Sequence, residues 1–294
     1  MNQKRQHQEF IEKLPWDDYM HHIPIVGASL TIISMIFEYN IVVVTNLLTS
    51  GLWIYYLERS KRDMLKYYKS EMQDIVGKIM ETEPRVQVEI KKFNSIQRNT
   101  QAYFQLFIFT FIFQILALYI AYSGVLTYKN PLDLACYSLL CLFIFLSNRH
   151  FESRYQSEYN RELMLQIRVL QGGLIVLSIV MSRYAIQKMD DFYNQFVAFG
   201  LLLCSALFSS YTFHRYGKTS KKSFTLLLVG AVFLFLSDAL NIVLKVQRKE
   251  LFELTASANV LYHVGYYFLV WSLFLHAKAY NDHFLLLLRM KMNI

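Results

Sequence analysis

The chain has 294 residues, of which 54% are hydrophobic and 16% aromatic, with only 4 prolines and 10 glycines. One soluble core cannot hide that much apolar surface, so the composition excludes a simple soluble globule and predicts an all-α, polytopic membrane protein. The net charge of +8 would suggest nucleic acid in a soluble protein. Here it is explained by membrane topology and anionic lipid heads, and no nucleic-acid partner is expected.

A hydrocarbon layer about 30 Å thick needs roughly 17 to 25 apolar residues per helical crossing. Residues 1–22 lack an apolar core close behind Met1, and no small-residue cleavage site follows the first apolar run, so a removed signal peptide is not expected. The first apolar block, 23–57, is too long for one crossing and is interrupted at Glu38-Tyr39-Asn40. It reads as two short helices, about 24–37 and 41–57, or as one tilted span plus a re-entrant piece. Further spans are predicted over 102–123, 131–147 (opened by Pro131), 168–187 (with Gly172-Gly173), 192–213, 222–245 and 257–279, about eight in all. If the N-terminus is inside, 24 of the 30 Lys and Arg residues fall in cytoplasmic segments. Both termini are therefore expected in the cytoplasm, in what reads as a bacterial inner membrane.

Three regions follow: 1–57, an N-terminal segment with a first transmembrane hairpin; 58–100, a cytoplasmic helical hairpin; and 101–294, a six-helix transmembrane domain. In the hairpin, Met64/Leu65, Tyr68, Met72, Ile75/Val76 and Ile79 recur on one helical face, and Val86, Ile90, Phe93 and Ile96 or Gln97 mark a weaker stripe beyond Pro84. The first arm, roughly 24 residues, would extend on the order of 35 Å. These stripes pack on each other or form a surface, at 59–100, for a second copy or a cytoplasmic partner. The connector 148–168, with Phe151, Tyr155, Tyr159 and Leu163, suits the membrane surface. A faint likeness of Gly51–Leu57 to Leu142–Asn148 allows an internal duplication or shared composition alone.

Charged groups inside a span are costly and mark candidate sites. Asp238 lies roughly 12 Å, and His263 roughly 9 Å, below the outer surface on consecutive predicted spans. Arg183, Asn241, Asn259 and Tyr262 occupy the same half of the membrane. If the helices adjoin, Arg183 or His263 neutralises Asp238 and the amides complete its hydrogen bonds, forming a polar pocket or pore vestibule. The plainer alternative is a buried hydrogen bond from Asp238 to a neighbouring helix, with Arg183 snorkelling to the interface. Glu38 and Asn40 read as turn residues, Asp133 as a first-turn carboxylate, and His214 and His276 as interface residues. Cys136, Cys141 and Cys204 read as small packing residues. His21-His22 lacks a second pair at ligand spacing, so no metal is expected, and no nucleotide or hydrolase motif points to a cofactor.

The run Gly230-Ala231-Val232-Phe233-Leu234-Phe235-Leu236-Ser237-Asp238, followed by Tyr262-His263-Val264-Gly265-Tyr266, resembles the C-terminal part of the lysoplasmalogenase family. That family has a Gly-Ala run ending in Ser-Asp and later a Tyr-Tyr-x-Ala-Gln span. The resemblance covers 230–294 and implies an eight-span hydrolase of vinyl ethers, with Asp238 as a reactive carboxylate. The chain departs from the pattern elsewhere: Ser147-Asn148 stands near where the family has Gly-Asp, Tyr266 stands for the Gln, and the family has no large cytoplasmic hairpin.

Two functions are thus expected. The first is a homo-oligomeric channel or pore-type effector gated through its cytoplasmic helices, whose architecture resembles that of small bacterial defence effectors. The second is an intramembrane lipid hydrolase with Asp238 and His263 as the acid-base pair. A secondary transporter is disfavoured by the absence of paired Gly/Pro-broken spans.

Overall fold

The computed structural model describes residues 22–37, 39–77, 84–122, 221–247 and 252–292. All five segments are α-helices, with no strand among the described residues: α1 (His22–Phe37), α2 (Tyr39–Gly77), α3 (Pro84–Tyr122), α4 (Lys221–Gln247) and α5 (Phe252–Met292). The interruption expected at Glu38-Tyr39-Asn40 coincides with the boundary between α1 and α2. These two helices run antiparallel, since Gly27 lies against Thr49 while Thr31 reaches Asn46.

Helix α2 does not stop where the apolar run ends. Its 39 residues continue through the charged stretch after Leu57, a length of about 58 Å at the usual rise. No proline falls between Pro24 and Pro84, and helical hydrogen bonds are internal to the chain, so a change from apolar to charged side chains is no reason to end the helix. Helix α3 opens on Pro84, where the missing N–H has no helical partner in any case, and runs 39 residues in the opposite polarity, charged first and apolar last.

The two long helices pack antiparallel. Trp53 stacks on Phe111, with ring centroids 6.0 Å apart, and the buried positions Met64, Tyr68, Met72 and Ile75 of α2 face Val86, Phe93 and Ile96 of α3 in one core. These are the stripes read from the periodicity. They are shared, however, with a third helix: α5 runs 41 residues alongside both. Phe274 meets Tyr56 at 5.6 Å and Phe104 at 5.2 Å, and Phe284 meets Phe93 at 6.0 Å.

Pairing α5 parallel to α2 and antiparallel to α3 has one consequence. The apolar halves of all three helices lie side by side, and so do their charged halves. Large apolar residues remain exposed around the apolar end, among them Ile36 at 64%, Leu48 at 59% and Phe109 at 50%.

Helix α4 lies antiparallel against α5, with Ser223 near Ser272 and Ser237 near Ala258, and Gly230 facing Gly265 between them. A Cβ on Gly230 would stand 2.8 Å from the Gly265 carbonyl oxygen, so the absence of side chains sets the spacing. Among the described residues one stretch, Phe252–Met290, is long and apolar enough to cross a membrane, with shorter apolar helices at His22–Ser34 and Thr225–Leu234. The expected spans 131–147, 168–187 and 192–213 and the connector 148–168 lie outside the described residues.

Candidate functional site

Helix α5 carries buried polar groups at several levels of the bundle, and between them they reach α1, α3 and α4. His263 contacts Thr31 of α1, with Nε2 3.1 Å from the hydroxyl oxygen. Tyr266 accepts a hydrogen bond from the Gln114 amide of α3. Ser272 pairs with Ser223 of α4 through its carbonyl at 2.9 Å, and the Asn281 amide donates to Thr100 of α3 at 3.0 Å. In a low-dielectric interior each link is costly to leave half-made, so together they fix the rotation and height of α5.

The ionisable group among them is His263, only 1% exposed. Three helices build its surroundings. Gly27 lets α1 approach: a Cβ there would lie 3.1 Å from His263 Nδ1 and 2.7 Å from the Thr49 methyl of α2. The Thr31 hydroxyl donates to the Gly27 carbonyl at 2.8 Å, one turn back on its own helix, and Thr49 donates likewise to the Thr45 carbonyl at 2.8 Å. Such back-bonding satisfies a hydroxyl proton inside an apolar helix and leaves the oxygen's lone pairs as acceptors. The Tyr262 ring lies edge-on to the imidazole at 5.4 Å and meets Tyr266 edge-to-face in turn at 4.9 Å.

Of the other residues singled out in the sequence, Tyr262 and His263 are brought together. The Asn259 amide donates to the Thr255 carbonyl of its own helix at 2.9 Å. Asp238 and Asn241 fall on α4, but their side chains, and the whole of Arg183, lie outside the described residues. The neighbour of Asp238, Ser237, donates to the Ala258 carbonyl of α5 at 2.8 Å, which sets Ser237 five residues short of His263 along that helix. His276, read as an interface residue, is instead buried, with its ring 5.3 Å from Tyr103. Among the described residues no group of three or more His, Cys, Asp or Glu is placed to hold a metal ion.

Sequence reasoning missed Thr31, Thr49 and Gln114, since an uncharged polar residue in an apolar helix carries no signal of what it faces. It also missed a second cluster at the charged end. There the Tyr68 hydroxyl donates to Asp282 at 2.6 Å, Arg289 pairs with Glu71 at 2.6 Å, and the Gln97 amide donates to Asn281 at 2.8 Å.

Burial pushes the Tyr68 hydroxyl well above its ordinary 10.0, and the Asp282 carboxylate it faces adds to the effect. Tyr67 is raised for the same first reason, with Glu71 next. The unfolded tyrosine ionises near 10.0 while the folded one stays neutral, so the contribution of this contact is complete below that pH and is lost as pH climbs above it. Limited proteolysis of the charged end is therefore expected to accelerate above about pH 10, and Tyr68→Phe, which cannot ionise, to flatten part of that rise. A Tyr68→Phe profile superimposable on wild type would place the alkaline transition elsewhere.

No family model, no curated protein and no solved structure matches this chain.

Proposed function

We propose that the chain is a homo-oligomeric membrane channel or pore-type effector whose opening is controlled by its charged, cytoplasmic end. The observation that carries this reading is the continuity of α2, α3 and α5. Each is one unbroken helix joining an apolar end ringed by exposed Ile, Leu and Phe to a charged end locked by Tyr68–Asp282 and Glu71–Arg289.

A helix transmits a push or rotation along its axis because its hydrogen bonds resist bending over a few turns. Any event that loosens the charged clasp therefore bears on His263 and its neighbours at the other end of α5. The exposed apolar belt supports insertion into a lipid bilayer. The basic bias of the predicted loops supports an arrangement of about eight crossings with both termini in the cytoplasm of a bacterial inner membrane. The cytoplasmic ligand or partner would act on 59–100.

The test is ion flux from liposomes of anionic composition. Wild type is expected to conduct, and Asp238→Ala to change the flux; unchanged flux would remove Asp238 from the pathway. Arg289→Glu sets two carboxylates against each other at the clasp and is expected to shift gating, whereas the double swap Glu71→Arg with Arg289→Glu restores it. Equal flux in all three would disconnect the charged end from the pore.

A second reading, an intramembrane hydrolase of lysoplasmalogenase type using Asp238 and His263, is favoured by one observation: the His263 surroundings are completed by α1, α2 and α5 of a single chain. It predicts aldehyde release from a lysoplasmalogen, abolished in Asp238→Asn. Absence of release from wild type would end it.

A further inference from the structure

The proton positions around His263 follow from the donors and acceptors that surround it. A threonine hydroxyl has one proton to give. Thr31 Oγ1 lies 2.8 Å from the Gly27 carbonyl oxygen and 3.4 Å from Asn46 Oδ1, both of which accept. Its proton is committed to these, so toward the His263 Nε2, 3.1 Å away, it offers only a lone pair. Nε2 must then carry the hydrogen and donate.

In the neutral ring the other nitrogen, Nδ1, then carries the lone pair. No described residue hydrogen-bonds it. It faces the side of Gly27 that lacks a side chain, and the point where a Cβ would stand lies 3.1 Å from both Nδ1 and Thr49 Oγ1. The Thr49 proton is itself committed to the Thr45 carbonyl. Two acceptors thus converge beside a glycine on a buried face where α1, α2 and α5 meet.

We infer that Thr31 is the positioning residue that sets the tautomer of His263, holding Nε2–H and presenting Nδ1 as the acceptor for a proton or a small hydrogen-bond donor. The second nitrogen's partner decides which nitrogen of a histidine works, and here that partner is a hydroxyl of another helix rather than a carboxylate. The tautomer does not depend on whether the protein conducts or hydrolyses. Its use does: in a conduit Nδ1 takes a proton or donor in transit, and in a hydrolase it takes the proton of attacking water.

The experiment is ¹⁵N nuclear magnetic resonance of histidine-labelled protein in lipid nanodiscs, with the His263 signal assigned by its loss in His263→Gln. Wild type is expected to show the Nε2–H tautomer. Thr31→Val, which keeps the shape and removes the lone pair, is expected to reduce the tautomer ratio about tenfold, the scale of one hydrogen bond, and Thr31→Ser to restore it. A wild-type ring protonated at Nδ1, or at both nitrogens, overturns the inference, as does an unchanged ratio in Thr31→Val. The wild-type spectrum decides even if a variant fails to fold. Because it reads neither flux nor aldehyde, failure here is distinct from failure of the proposed function.

Discussion

Gly230→Ala is expected to lower the melting temperature in detergent by several degrees, more than any other single methyl added to the described helices. The new Cβ would stand 2.8 Å from the Gly265 carbonyl oxygen, closer than real Cβ atoms come, and 3.0 Å from the Leu269 nitrogen, tighter than nearly all of them. Both are backbone atoms of α5, so no side-chain rotation relieves the contact and α4 must move away. Overpacking of this kind costs about 1 to 3 kcal/mol, against a gain of roughly 0.8 to 1 kcal/mol for replacing glycine in a helix. The clash wins.

Two companions make the experiment selective. Gly265→Ala meets the Leu234 side chain at 2.9 Å and the Gly230 carbonyl oxygen only at 3.1 Å, so its closest contacts are with a side chain rather than backbone and its effect is smaller. Gly51→Ala meets nothing within 4 Å and is expected to be neutral or stabilising. If thermal unfolding ranks Gly230→Ala with Gly51→Ala, the α4–α5 contact is not what holds these helices at their separation.

Truncation after His283 is expected to free the charged end of α2 and α3. It removes Phe284, Leu285 and Leu288, all buried, together with the Arg289 partner of Glu71. Burial of each such side chain is worth about 1.5 to 3 kcal/mol, so their joint loss exceeds anything a surface ion pair contributes. Phe93 would lose its ring neighbour and the stripe around Met72 part of its cover. Trypsin should then cut at the basic residues between Arg59 and Arg98 many times faster. On the proposed function, flux should lose its control in the same variant. By contrast Met290→Lys, at a site 57% exposed, should stay within about 0.5 kcal/mol of wild type. Equal protease resistance of the truncated and intact chains would show that α5 is not part of that core.

The amphipathic stripe of 58–100 was legible because a helix buries one face and the spacing of Met64, Tyr68, Met72 and Ile75 marks it directly. The break at residue 38 was legible for the converse reason: Glu38 and Asn40 interrupt an otherwise apolar run. The length of α2 and α3 was not. A hydropathy reading divides a chain wherever polarity changes, whereas a helix ends only where its backbone does. The role of the C-terminal stretch after Lys278 was not legible either, since its mixed composition, Asn281-Asp282-His283-Phe284 followed by four leucines, has no clean period. Its partners lie some two hundred residues earlier in the chain.

At the site the division is sharper. His263 was marked in the sequence by being ionisable in an apolar helix, and Tyr262 by adjacency. Thr31, Thr49 and Gly27 could not be, because a hydroxyl or a missing side chain acquires meaning only from what stands opposite. The order of residues along the chain determined the helical class and the segregation of apolar from charged halves, since both follow from periodicity and local hydropathy. Only the tertiary structure decided that those halves align on α5 and which nitrogen of His263 finds a partner, since distances between separate helices are properties of packing and no local pattern encodes them.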